Sequence, residues 1–95
     1  MSDRDIFRPL HDPARSIYDA FQNEASKRQG RSIEEWQDAE RNAVLREAIF
    51  QSQKMSLAVP TLSDVEKAEI SAMGHCDYGT KWAYVIAMAM RKVTA

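Results

Sequence analysis

Apolar residues recur at helical spacing through most of this chain. Ile17, Phe21 and Ala25 lie four residues apart, which places them on one face of a helix. Strand-like alternation of apolar and polar residues is absent from the sequence. The pattern predicts an all-α, single-domain bundle of three to four helices across the 95 residues. The expected elements are an N-terminal arm at 1–11 and helices near 13–29, 33–53, 62–73 and 78–93.

The first predicted helix has recognisable start and stop residues. Asp12 is a residue type that caps helices, and Pro13 at the first helical position sacrifices no hydrogen bond. Lys27 and Arg28 then fall in the predicted last turn, where cations complement the helix dipole. Gly30 suits the left-handed residue that ends a helix.

The starts of the next two helices are predicted by a hydroxyl residue followed three positions later by an acidic residue. Ser32 with Glu35, and Thr61 with Asp64, both fit the capping-box pattern. Gly74 is expected to end the third helix. In the segment that follows, Asp77 is a candidate cap for the last helix.

Helical periodicity also predicts which faces are buried. The second helix is expected to bury Ile33, Trp36, Ala39 or Glu40, Ala43, Val44, Ala48 and Phe50. The third is expected to bury Leu62, Val65, Ala68, Ala72 and Met73. Trp82 to Met90 contains no charged residue, which predicts a last helix buried nearly all round, with Trp82 in the core. For Tyr84, a core position and a place in a protein interface are the alternatives.

Charge and cysteine content narrow the possible functions. Thirteen basic and fourteen acidic residues give a net charge of −1, which argues against a general attraction to nucleic acid. The single cysteine excludes an intramolecular disulfide and suits a reducing cytoplasm. The N-terminal sequence resembles no signal peptide, and the longest apolar run is shorter than the roughly 20 residues that span a bilayer.

Ligand-type and nucleophilic residues cluster before the last helix. His75, Cys76 and Asp77 are potential metal ligands, with His11 as a further candidate. Three adjacent residues rarely all point at one ion, however, and no C-x-x-C or H-x-x-x-H spacing exists. His75 is also poorly placed to act as a base for its neighbour Cys76. We therefore predict no metal, no cofactor, no catalytic residue and no enzymatic activity.

Charged residues near the start of the second helix suggest two further surfaces. The acidic residues there, Glu34, Glu35 and Asp38, are interpreted as a solvated face whose negative charges interact favourably with the positive end of the helix dipole. Docking of a basic partner is the alternative interpretation. A basic turn, defined as Lys27, Arg28 and Arg31, is the candidate nucleic-acid site. The following helix begins with two acids, which would repel phosphates, so nucleic-acid binding is the alternative interpretation.

The polar turn, Gly74 to Gly79, is richer in recognition side chains than a connector requires. Aromatic and directed polar residues often anchor protein interfaces. The predicted partner-binding residues are His75, Asp77, Tyr78, Lys81 and Trp36.

Several of these stretches resemble a family of small proteins encoded by tailed phages and prophages of Gram-negative bacteria. The likeness covers roughly residues 11–90. It rests on Asp12-Pro13-Ala14-Arg15, on Gly30-Arg31 followed by Glu35-Trp36, and on Gly74-His75 with Asp77-Tyr78 and Lys81-Trp82-Ala83.

The resemblance implies a virus-encoded accessory product made in the cytoplasm of the bacterial host. It implies no catalytic residues. Small phage proteins of this kind commonly act by binding, so we expect an inhibitor or modulator used in host takeover or against defence. Its expected partner is a host or bacterial-defence protein complex, for example a nuclease or a CRISPR effector.

Overall fold

A computed structural model describes residues 12–91, and these residues form four α-helices. We number them α1 (Ala14–Ala25), α2 (Ile33–Met55), α3 (Leu62–Ala72) and α4 (Tyr78–Arg91). The all-α prediction is confirmed. The predicted arm at 1–11, which includes His11, and the predicted end of the last helix at 92–93 lie outside the described residues.

The helices run alternately up and down, as the contacts between their ends show. Ala14, the first residue of α1, packs against Ala87 near the end of α4. Arg41, early in α2, bonds Glu69 near the end of α3. Neighbouring helices are therefore antiparallel, which the short loops at 26–32, 56–61 and 73–77 allow.

One apolar cluster holds the four helices together. Its largest fully buried side chain is Trp82, whose indole Nε1–H donates to the Val65 carbonyl at 3.1 Å. The Trp82 ring also meets Phe21 edge-on at 5.3 Å between centroids. Full burial of a large apolar side chain contributes about 1.5–3 kcal/mol. The other buried members are Ile17, Val44, Ala48, Ala68, Ala72, Ala83, Ile86 and Met90.

Both predicted capping boxes are confirmed. The Glu35 N–H donates to Ser32 Oγ at 3.2 Å, and the Ser32 N–H donates to Glu35 Oε1 at 2.8 Å. The bond that the Glu35 carboxylate accepts from the Ser32 backbone N–H lowers the pKa of the Glu35 carboxyl. Thr61 and Asp64 exchange the same pair of hydrogen bonds at the start of α3. Gly74, just after α3, has the expected left-handed φ of 86°.

The first helix is shorter than predicted at both ends. Pro13 rather than Asp12 is the N-cap residue, no side-chain cap bond forms there, and α1 begins at Ala14. Asp12 instead accepts a bond from the Ser16 hydroxyl. After Ala25 the hydrogen-bonding pattern tightens, because the Lys27 N–H reaches back only three residues. Lys27 therefore lies beyond the helix rather than in its last turn.

Four residues predicted to face the core are exposed. Ile33 and Leu62 are the first residues of their helices, and Met73 follows the last turn of α3. Phe50 comes two residues after buried Ala48, which at 100° per residue carries it to the opposite face of α2. The C-terminal half of α2 instead buries Gln51 and Ser52.

Helix α4 is not buried all round. Ile86 is fully buried, but Tyr84 and Met88 are 39% and 49% exposed, and Val85 is half-buried. The prediction of a last helix buried nearly all round is therefore wrong. One face of α4 contacts the bundle and the other presents apolar groups to solvent.

Candidate functional site

The structure brings the predicted binding residues to one end of the bundle. The basic turn lies in the loop after α1, and the polar turn joins α3 to α4. Because neighbouring helices are antiparallel, these two loops and the first turns of α2 and α4 form the same end. We call this region the polar end.

A buried carboxylate organises the basic turn. Glu40 is 2% exposed and accepts two bonds from the Arg28 guanidinium, at 2.6 and 2.9 Å. The bond to Glu40 raises the pKa of Arg28. The same guanidinium lies 4.0 Å from the centre of the Trp36 ring. One face of Trp36 is therefore covered by Arg28.

The other two cations of the basic turn also have partners within the chain. Arg31 Nη1 lies 2.9 Å from Glu24 Oε2, and Lys27 Nζ lies 4.0 Å from Glu24 Oε1. The positive charge that the sequence places in this loop is thus matched by nearby carboxylates. Phosphate binding would have to compete with these ion pairs.

A second buried carboxylate, Glu69, lies at the α3 side of the polar end. It is 5% exposed and accepts a bond from Arg41 Nε at 2.7 Å and one from the Tyr78 hydroxyl at 2.9 Å. Arg41 also contacts Asp38 at 3.3 Å. The bond to Glu69 raises the pKa of Arg41. This network joins α2, α3 and the first residue of α4.

Tyr78 occupies a structural position. Its ring packs between Phe21 at 5.9 Å and Trp82 at 5.5 Å, measured between centroids. Burial, followed by the hydrogen bond to Glu69, raises the pKa of the Tyr78 hydroxyl. Tyr78 is one of the predicted partner-binding residues, but its hydroxyl and much of its ring are engaged within the bundle.

Sequence reasoning missed Glu69 and offered Glu40 only as an alternative to Ala39. The signal for Glu69 was its position: it lies four residues after Val65 and next to Ala68, on the buried face of α3. An acid at an apolar position of a helix predicts a buried partner, because an unpaired buried carboxylate is costly. Arg41 supplies that partner from α2.

The remaining residues of the polar turn and Lys81 differ in accessibility. His75 and Cys76 are exposed, and Lys81 is half-buried. Asp77 Oδ2 is buried without a hydrogen-bond partner among the described residues, so this atom does not form the predicted cap. The Asp77 backbone carbonyl accepts from the Lys81 N–H at 3.0 Å.

Within residues 12–91, no group of three or more His, Cys, Asp or Glu side chains is arranged to hold a metal ion. Cys76 lies in the polar turn as a free, exposed thiol.

A groove lies between α3 and α4 and is bounded by the loop before α3, at the end of the bundle opposite the polar end. It has a volume of about 430 Å³. Its lining consists mostly of small or apolar residues: Ala58, Val59, Pro60, Asp64, Lys67, Ala68, Ser71, Val85 and Ala89. Val59 is 54% exposed beside it.

The groove lining contains one lysine, Lys67, and one aspartate, Asp64. Lys81 lies one turn before Val85 on α4 and outside this lining. Within the described part of the chain, neither lysine has a carboxylate at ion-pair distance, in contrast to the basic turn.

Comparisons with protein-family models, with curated proteins and with solved structures found no match. None of the helices within residues 12–91 is long and apolar enough to cross a membrane.

Proposed function

We infer that this protein is a non-enzymatic protein-binding module that modulates or inhibits a host or bacterial-defence protein complex. The observation that carries this inference is the α3–α4 groove. Grooves of this type, with an apolar floor and a polar rim, commonly receive a helix or an extended segment of another protein. The exposed Tyr84 and Met88 extend the apolar surface beyond it.

The polar end supplies the directed contacts of the proposed interface. His75 is exposed in the polar turn, and Lys81 lies in the first turn of α4. Tyr78 and Trp36 support this surface from within, since one packs on the core and the other lies against Arg28. Asp77 holds the first turn of α4 through its backbone carbonyl.

The biological setting is proposed from the resemblance to phage and prophage proteins. In that setting the protein is an accessory product that acts in the cytoplasm of the bacterial host. A binding module suits this role, because covering a functional surface of a host or defence complex needs no chemistry. A nuclease or a CRISPR effector is an example of such a complex.

Nucleic-acid binding through the basic turn is a weaker proposal. Arg28 is held by two bonds to Glu40, and Arg31 by one to Glu24. Neutralising phosphates with these side chains would first require breaking those contacts. We therefore rank the nucleic-acid alternative second.

The experiment is capture of a partner from Gram-negative bacterial lysate, followed by measurement of binding to the purified partner. One stoichiometric complex is expected. Truncation of interface hot spots commonly costs 2 kcal/mol or more, so we expect His75→Ala with Lys81→Ala to weaken binding by about tenfold or more. The variant should keep its melting temperature.

The matched control is Glu34→Ala with Asp38→Ala, which changes two exposed residues of α2 at the same end of the bundle. This control should leave the affinity nearly unchanged. Failure to capture any stoichiometric complex contradicts the proposed function. If the control pair weakens binding and the turn pair does not, the partner docks on the acidic face of α2 instead.

A further inference from the structure

A path of apolar residues runs round α4 from its contact with α1 to the α3–α4 groove. At about 100° per residue, the exposed Tyr84 and Met88 lie about 60° and 100° round the helix from Ala87, which contacts α1. Val85 and Ala89, which line the groove, follow at about 160° and 200° in the same direction. The exposed apolar face of α4 therefore connects the α1 side of the helix to the groove.

The chain enters the bundle at the start of this path. Asp12 is exposed and stands two residues before Ala14, which packs against Ala87. The loop that bounds the groove lies at the same end of the bundle, because the Ala58 N–H donates to the Met90 carbonyl at 3.0 Å. The residues that precede Asp12 are thus attached beside the path.

The 11 residues before Asp12 are long enough to follow the whole path. A chain spans at most about 3.3–3.6 Å per residue, so segment 1–11 can reach about 36 Å from Asp12. An α-helix with its side chains is about 10–12 Å across, so half of its circumference is about 16–19 Å. The segment can therefore pass round α4 to the groove with residues to spare.

The apolar residues of the segment stand at suitable distances from Asp12. Leu10 is two residues away, a reach of about 7 Å that covers Met88 beside Ala87. Phe7 and Ile6 are five and six residues away, a reach of about 17–21 Å that covers the groove. Charge does not oppose this fit, because the segment contains two aspartates and two arginines and the groove lining one aspartate and one lysine.

We propose that residues 1–11 cross the exposed face of α4 and insert Ile6 and Phe7 into the α3–α4 groove of the same chain. Covalent attachment favours this occupant, because a short tether supplies an effective concentration in the millimolar range. A second copy or another protein would instead lose translational and rotational freedom on docking. Under the proposed function, on which this consequence rests, the segment competes with the partner for the groove and is released when the partner binds.

The test attaches a nitroxide at Arg4→Cys in the full chain, with Cys76→Ser so that the label has one attachment site. Paramagnetic broadening of the amide NMR signals then reports which residues lie close to the label. We expect the amides of Val59, Val85 and Ala89 to lose about half or more of their intensity, because the docked state is the main population. The amide of His75, at the opposite end of the bundle, should keep its intensity.

Ile6→Ala with Phe7→Ala in the labelled chain should abolish the localised broadening, because this variant removes both apolar anchors. The matched control is Ile33→Ala with Phe50→Ala, which truncates the same two residue types at exposed positions of α2. This control should leave the broadening at the groove unchanged.

A mixed sample separates docking within one chain from docking between copies. It combines an isotopically enriched chain without the nitroxide and an unenriched chain that carries it. We expect no broadening at the groove in this sample. Broadening equal to that of the singly labelled chain would assign the groove to a second copy and overturn the inference.

Two further results would overturn it. One is broadening spread evenly over the four helices or concentrated away from the groove and the exposed face of α4. The other is localised broadening that Ile6→Ala with Phe7→Ala does not reduce. All of these measurements use the isolated protein, so the inference can fail while a partner is captured, or hold while none is.

Discussion

Replacing Glu69 by alanine should destabilise the bundle far more than a typical glutamate substitution. Glu69 is nearly fully buried and links Arg41 of α2 to Tyr78 at the start of α4. Glu69→Ala removes the acceptor of both bonds and leaves a guanidinium and a phenol without their partner. The helix itself should tolerate the change, because alanine is a stronger helix former than glutamate.

The magnitude follows from the contacts. Hydrogen bonds to a charged group contribute about 1.5–3 kcal/mol each, and breaking a buried ion pair costs about 3–5 kcal/mol. Arg41 keeps its contact with Asp38 and its side chain remains 24% exposed, so water and Asp38 partly compensate. We therefore expect a loss of about 3 kcal/mol in the free energy of unfolding. For a domain of this size, that loss lowers Tm by about 12–24 °C.

The assay is urea and thermal unfolding followed by circular dichroism. Glu66→Ala is the matched control, because Glu66 is an exposed glutamate one turn earlier in the same helix. It should change the free energy of unfolding by about 0.5 kcal/mol or less. A Glu69→Ala loss below about 1 kcal/mol, or one equal to the control, would refute the assignment of Glu69 as a buried link.

Four further predictions use the same protein. Ile86→Asp should abolish cooperative melting because Ile86 is fully buried, whereas Val85→Asp should cost less because Val85 is only half-buried beside the groove; equal losses would contradict this difference. Folding raises the pKa of the Tyr78 phenol. Tyr78 therefore contributes its full stabilisation of the fold below about pH 10, the usual tyrosine pKa, and this contribution is lost as the pH rises above that value. Tyr78→Phe should accordingly show a shallower alkaline decline in the free energy of unfolding, and an unchanged decline would argue against the shift. Cys76→Ser should leave the affinity for the partner within a few-fold of the parent value. Complete loss of partner binding in a folded variant would instead indicate a chemical role for the thiol. Duplex DNA should bind no more tightly than about 10⁻⁶ M near physiological salt, and sequence-specific binding tighter than about 10⁻⁸ M would reverse the ranking of the two functions.

Local signals in the sequence predicted the helices well where one residue determines the geometry. The two capping boxes and the left-handed Gly74 depend on contacts within three or four residues, so the sequence contains the necessary information. Periodicity similarly placed Val44, Val65 and Ala68 in the core.

The failures occur where neighbouring helices decide the outcome. The uncharged run in α4 predicted burial all round, but α4 has neighbours on one side only, which leaves Tyr84 and Met88 exposed. Periodicity within α4 does not encode how many helices surround it. Phe50 failed because the buried face of α2 ends with Gln51 and Ser52, polar residues that apolar periodicity discounts.

The candidate site shows the same difference between features set by local sequence and features set by neighbouring helices. Sequence reasoning found the loops that form the polar end, because glycine, basic and aromatic residues concentrate there. It did not identify which side chains are already paired with other side chains of the bundle. Arg28 and Tyr78 appeared as free recognition groups until the partners Glu40 and Glu69 were placed beside them by antiparallel packing. Lys67 and Lys81, which have no carboxylate at ion-pair distance among residues 12–91, became distinguishable only by that comparison.

This internal pairing bears directly on how the proposed interface would work. Glu40 ties the loop after α1 to α2, and Glu69 ties α3 to the first residue of α4. The bond between Tyr78 and Glu69 spans the polar turn and restrains its direction. Binding then orders few additional groups, so more of the contact energy appears as affinity. The buried carboxylates would thus support recognition without touching the partner, by fixing the first turn of α4, which carries Lys81.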